Sequence, residues 1–283
     1  MKKEQKVALV TNASDYAGPP AVAALLDAGF RVLVHDDSFV DDSAWEHFSN
    51  ANGSAERVSG NGFEQLVDAS WAVAGRVDAI VSNDHFPAIH QPTADASLDD
   101  LRQTLEKLVV RPFALVKAAI PRMRQQGGGD LVFVTSCRTK LPMHGGAIPD
   151  AAMDAANALV RSFSVELAPN NIAVNAVAPN FLYSEAYFPR AVFVDRPEGR
   201  EYVRSSVPVG RLGRPEEIGE LICFLASTEE GRLRKFGAAM RPAIVARRRT
   251  SWSGRVKTCA ECGVLKNRPF RSRRVGLAAT REG

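Results

Sequence analysis

The sequence predicts an α/β fold: a doubly wound parallel sheet. Three observations carry this. Short runs rich in Val, Ile and Leu recur along residues 1–230, and helix-forming stretches separate them. The runs are almost continuously apolar rather than alternating, as strands buried on both faces are. Such a sheet carries helices above and below, and its ligand crevice lies beyond the carboxyl ends of the strands.

The elements follow in order. Residues 6–11 (KVALVT) predict a strand, and residues 20–28, rich in Ala and Leu, a helix. Residues 30–35 (FRVLVH) predict the next strand, 63–75 a helix and 77–82 (VDAIVS) a strand. A long helical stretch spans 97–123, followed by a strand at 130–136 (DLVFVTS) and a helix at 150–168. A strand at 172–177 (IAVNAV) and a helix at 214–227 complete the pattern.

Composition narrows the class. The chain has 283 residues, 45% hydrophobic and 24% charged, with four cysteines. No run of 18 apolar residues exists, so a membrane-spanning helix is not expected. Four cysteines make no disulfide framework, and a reduced cytoplasmic protein without a leader is expected. The formal net charge of +4 conceals a division. Residues 1–230 hold 21 basic and 30 acidic groups, a net −9, whereas residues 231–283 hold 15 basic and two acidic groups, a net +13. The domain reading is therefore 1–230 for the fold and 231–283 for an atypical basic tail.

The segments after the strands are where chemistry is expected. Thr11–Gly18 follows the first strand. A dinucleotide-binding turn needs glycines there, so that bare backbone can approach the pyrophosphate at the helix N-terminus. This turn has only Gly18, and Tyr16 places a ring where the backbone should be open. Asp36 or Asp37 could stand as the acidic residue of such a site, but the turn argues against NAD(P). Ser136, at the end of a strand, can donate to a substrate oxygen. The loop of Pro179, Asn180, Phe181 and Leu182 can form a small anion nest; an Asx-turn at Asn180 and a core ring at Phe181 are the alternatives.

Several segments together resemble a known group. They are Thr11, Tyr16 and Gly18 at that spacing, 81–86 (VSNDHF), 111–116 (RPFALV), 179–185 (PNFLYSE) and 210–219 (GRLGRPEEIG). The chain resembles the short-chain dehydrogenase/reductase (SDR) superfamily, and within it the halohydrin dehalogenases, over roughly residues 5–228. The resemblance implies a single Rossmann-like domain, no nicotinamide cofactor, and conversion of vicinal haloalcohols into epoxide plus halide. It also implies the reverse ring opening by small anions such as azide, cyanide or nitrite. The pocket it implies comprises Tyr16, Asn83, Asp84, Phe86, Pro179, Asn180, Phe181 and Leu182. A homo-oligomer, dimer or tetramer, is implied as well, with the small residues Ala151, Ala152, Ala155, Ala156 and Ala158 suited to close helix packing.

The family's second signature is Ser, twelve residues, Tyr, three residues, Arg. Ser136 holds the first slot as the catalytic hydroxyl, but Pro149 and Met153 occupy the Tyr and Arg slots. Proline has no ionisable proton and methionine no charge, so the base and the cation that lowers its pKa are both missing. The reductase version, Tyr-x-x-x-Lys, is equally absent. Pro149 suits the first position of a helix, and Met153 reads as core or pocket packing. Asp150, His144 and His85 are candidate replacement bases. Two functions follow: a dehalogenase-like enzyme acting through a displaced base, or a non-catalytic SDR-fold binding protein. NAD(P)-dependent reduction ranks third. No metal site and no cofactor are expected.

The tail admits three readings. Its Lys/Arg runs could bind a phosphate backbone, Cys259 and Cys262 could supply half of a zinc site, or a shifted reading frame could have replaced the last strand. The abrupt change near residue 231 favours the third and makes a nucleic-acid partner unexpected. It predicts that the alternative frame near codon 230 encodes a Thr-Gly … Gly-Gly strand.

Overall fold

The structure is a computed structural model, and it describes residues 4–138 and 142–227. The basic tail, Cys259 and Cys262 lie outside the described residues. Six parallel strands form one sheet in the order β3-β2-β1-β4-β5-β6. They are β1 Val7–Thr11, β2 Arg31–His35, β3 Glu56–Arg57, β4 Ala79–Ser82, β5 Gly129–Val134 and β6 Ile172–Val177. This is a Rossmann-like order: the apolar runs predict the parallel doubly wound sheet, and the resemblance implies the Rossmann-like domain.

Successive side chains of a strand point to opposite faces, and β1 shows the consequence. Ala8 and Val10 join the core on one face, with Val22, Leu25 and Ile222. Val7 and Leu9 join the core on the other, with Leu66, Leu115 and Val160. The first face is covered by α1 (Gly18–Asp27) and α9 (Pro215–Ala226), the second by α3 (Phe63–Ala74), α5 (Arg111–Gln125) and α6 (Ala147–Leu167). The remaining helices are α2 (Asp42–Asn52), α4 (Leu98–Leu105), α7 (Arg190–Phe193) and α8 (Pro197–Ser206). Among the described residues no helix is long and apolar enough to cross a membrane.

Three boundaries differ from the sequence reading. The edge strand β3 is two charged residues paired to β2 through backbone alone, so no apolar run marks it. The stretch 97–123 is divided by a wide π turn at Glu106–Val110, directly ahead of Pro112. Proline cannot donate to the carbonyl four residues back, and Arg111 N–H reaches back to Glu106 O instead. Finally, α6 begins at Ala147, so Pro149 is its third residue and not its first. That position is still within the first turn, where backbone N–H groups lack helical partners. The small residues of α6 divide between faces: Ala152 and Ala156 are buried, Ala151 and Ala158 exposed.

Candidate active site

The sheet order reverses between β1 and β4, and a crevice opens beyond their ends. Thr11 and Ser82 are register partners there, so residues 12–18 and 83–87 meet. Asn83 Nδ2 donates to Asn12 O at 2.7 Å and to Asp15 O at 2.9 Å. Asn12 Nδ2 donates to Asp84 Oδ1 at 3.2 Å, and Ser82 Oγ donates to Asp84 Oδ2. Asn83 and Asp84 therefore tie the two loops together.

The first turn is shaped around an aromatic side chain. Asn12 and Tyr16 have φ of 50° and 56°, a left-handed conformation uncommon for residues with a side chain. Gly18 is required, because a Cβ there would lie 2.5 Å from Ala13 O. The Tyr16 ring packs edge-on to Tyr187 at 5.0 Å and tilted to His85 at 5.9 Å between centroids. Tyr187 Oη in turn accepts from Phe86 N–H at 3.1 Å and donates to Phe86 O at 2.8 Å. Tyr187 was not singled out from the sequence; 101 residues separate it from Phe86. Burial pushes the Tyr187 hydroxyl up to about 12 and that of Tyr16 further still. Both phenols stay protonated at neutral pH, so neither replaces the missing base.

A nicotinamide dinucleotide does not fit this turn. The Tyr16 ring stands over it, and Asp36 is already occupied: Ser14 N–H and Oγ donate to Oδ2 at 2.9 and 2.7 Å, and Ser38 N–H and Oγ to Oδ1 at 2.9 and 2.7 Å. Asp37 is held by a two-pronged ion pair from Arg111 at 2.9 and 3.0 Å. Addition of micromolar NADPH is expected to leave the tryptophan fluorescence unchanged; saturable quenching would contradict this. Among the described residues no three His, Cys, Asp or Glu side chains are placed to hold a metal.

Asp84 is 9% exposed. Burial is the dominant influence and raises its carboxyl to about 6, against the downward pull of Ser82, Arg111 and Asn12. The folded chain therefore holds this proton more tightly than the unfolded chain, whose ordinary value is 3.8. The resulting stabilisation is full below the unfolded value and is lost as pH rises through about 6. Asp84→Asn should gain on wild type by about 2 kcal/mol between pH 4 and pH 7, measured as the difference of their urea-unfolding free energies at each pH.

Beyond β5, Ser136 Oγ lies 3.4 Å from Pro179 O and accepts from Arg138 N–H at 3.2 Å. Asn157 of α6 donates to Ser136 O at 3.0 Å. Ser136 thus faces the 179–182 loop. In that loop Phe181 has a φ of 53°; its N–H takes Asn180 Oδ1 at 3.1 Å, while Tyr183 N–H takes Gly213 O at 2.9 Å. The Phe181 donor of the expected nest, and that of Tyr183 just after it, are thus spent within the protein. The Phe181 ring is buried with Val203 and Val207, and Leu182 joins the core beside Ile218. Among the described residues, three of the four non-glycine residues at positive φ, Asn12, Tyr16 and Phe181, lie in these loops, and strained backbone of this kind clusters at ligand sites.

Pro149 and Met153 are both buried on α6, one turn apart. Met153 packs with Leu108 and Ala152. It also lines a void of about 10 Å3 shared with Asp84, Phe133 and Thr135. Two of the three candidate replacement bases have partners. Asp150 accepts from Arg138 Nε at 2.6 Å, and His144 is exposed. His85 lies with Nδ1 3.2 Å from Asn83 O and Nε2 3.7 Å from Asp15 Oδ2.

The family profile described as enoyl-(acyl carrier protein) reductase matches residues 24–233. "Dehydrogenase/reductase SDR family member 4" of Homo sapiens is 28% identical over 232 residues, covering 79% of this chain and 82% of its own. The chain belongs to the short-chain dehydrogenase/reductase superfamily. This SDR protein is also 30% identical over 236 residues to an uncharacterized oxidoreductase of Thermotoga maritima, covering 82% and 94% of the two chains. Two solved dehalogenases are similar in fold. A "Dehalogenation enzyme" is 33% identical with a TM-score of 0.78, covering 86% of this chain and 98% of its own. A halohydrin dehalogenase bound to ethyl (2S)-oxiran-2-ylacetate is 30% identical with a TM-score of 0.81, covering 88% and 100%.

Proposed function

We propose that this SDR protein presents a dehalogenase-type pocket, independent of nicotinamide, that binds small vicinal haloalcohols or epoxides and a small anion. Ser136 holds the substrate oxygen, facing the 179–182 loop. The observation that carries this reading is the aromatic closure of the first turn by Tyr16 and Tyr187, which takes the place of open backbone while Ser136 is retained. The likeness to the two dehalogenases supports it, one of them bound to an epoxide ester. Turnover is the part that is lost. A positioned acid or base contributes about 10²- to 10⁴-fold, and Pro149 and Met153 can supply neither a proton nor a charge.

The test is twofold. Binding of a short epoxide should be saturable in wild type and weakened about tenfold in Ser136→Ala, in keeping with one hydrogen bond to a desolvated oxygen. Halide release from a vicinal bromoalcohol should not exceed that of Ser136→Ala. Release well above that control would establish a working enzyme with a displaced base. Absence of epoxide binding would overturn the pocket assignment. The small exposed residues of α6 and the family likeness support a homo-oligomer, checked by light scattering.

A further inference from the structure

Beside Ser136 lies a cluster that the proposed pocket chemistry does not use. Arg138 Nε donates to Asp150 Oδ1 at 2.6 Å, and Arg138 Nη1 lies 3.5 Å from His90 Nε2. Arg138 Nη2 and His90 Nδ1 are buried and have no hydrogen-bond partner among the described residues. The Arg138 and Asp150 side chains are 17% and 16% exposed. Asp150 directly follows Pro149, so the cluster stands at the turn of α6 from which the tyrosine is missing. Its assembly depends on Gly146: a Cβ there would lie 2.9 Å from both Arg138 Nη2 and Asp150 Oδ2. Gln91 N–H donates to Gly145 O at 3.0 Å, which holds the His90 segment against the start of α6.

The donors outnumber the acceptors. A guanidinium offers five N–H groups and a neutral imidazole one. Burial, then the Arg138 charge, hold His90 below its usual range, so the ring is neutral at neutral pH. With Nε2 turned to the guanidinium as acceptor, the ring proton is on Nδ1. Asp150 Oδ1 takes one of these donors, and Nη2 and Nδ1 remain unspent. Buried N–H groups without acceptors are costly, and a ligand carrying two coplanar anionic oxygens matches an arginine fork. A bulkier or neutral oxygen would satisfy fewer of them.

We propose that Arg138, with His90 Nε2 set against its Nη1, forms a carboxylate-binding subsite beside Ser136, so that the pocket takes small epoxides or haloalcohols bearing a carboxylate. The epoxide half of this statement rests on the reading given under Proposed function; the carboxylate half does not.

Calorimetric titration of the full chain with three probes separates them: propanoate, glycidol and glycidate. Glycidate is expected to bind about tenfold or more tightly than glycidol, and propanoate to bind on its own. Arg138→Met should abolish propanoate binding. Because that variant strands the Asp150 carboxylate and can misfold, Asp150→Asn is the second variant. It keeps the shape and removes the competing charge, so propanoate should bind several-fold more tightly. A purely structural Arg138–Asp150 pair predicts no tightening. Glycidate binding no better than glycidol, or no tightening in Asp150→Asn, overturns the subsite. Glycidol binding without propanoate binding leaves the epoxide pocket and overturns the subsite. Propanoate binding without glycidol binding keeps the subsite and overturns the epoxide reading.

Discussion

Changing Pro149→Tyr and Met153→Arg together is expected to raise halide release from a vicinal bromoalcohol by about 10²- to 10⁴-fold. The structure makes the exchange feasible. Pro149 lies in the first turn of α6, where a restored N–H needs no helical partner. Met153 lies one turn further along and borders a void with Asp84. An arginine at 153 would meet a buried carboxylate now raised to about 6, and an adjacent cation lowers such a value. The double variant should therefore also lose the pH-dependent stability assigned to Asp84, a readout independent of catalysis. The two changes should be strongly non-additive, since tyrosine without the cation keeps a high pKa and arginine without tyrosine has no base to assist. Initial rates by halide detection, on variants whose circular dichroism matches wild type, provide the measurement. A folded double variant with no gain would falsify the dehalogenase-type assignment.

Gly219→Ala is expected to lower stability by about 2–3 kcal/mol, the range for inserting atoms into a packed interior. A Cβ at Gly219 would lie 2.3 Å from Pro20 O and 2.8 Å from its carbonyl carbon. Those are backbone atoms and cannot swing aside as a side chain does. The strain acts between α9 and the first turn of α1, the helix that begins at Gly18 and follows the Tyr16 turn. The effect should appear as a lower urea midpoint with unchanged slope. A loss under about 0.5 kcal/mol, the scale of a neutral surface change, would contradict so close an approach of the two helices.

Most of the sheet was legible in the sequence because its strands are buried on both faces and read as apolar runs. β3 was not, since Glu56 and Arg57 carry no such signal and pair with β2 through backbone. The start of α6 was misplaced because proline is tolerated throughout a first turn, so Pro149 marked the region and not the boundary. The placement of Ser136, Asn83 and Asp84 just beyond strand ends was legible because the strands before them are apolar runs. Tyr187 and His90 were not: each meets its partners across a long stretch of chain, Tyr187 at Phe86 and His90 at Arg138.

What the sequence alone determined are matters of residue type and spacing: the α/β class, a first turn with one glycine, and proline and methionine in the slots where the resemblance implies tyrosine and arginine. A missing proton or charge is a chemical fact that no packing restores. The tertiary structure decided the environment of what remains. It desolvates Asp84, spends the Phe181 donor on Asn180 and the Tyr183 donor on Gly213, and pairs Asp150 with Arg138. Burial and hydrogen-bond partners are set by residues distant in the chain, and only folding brings those together.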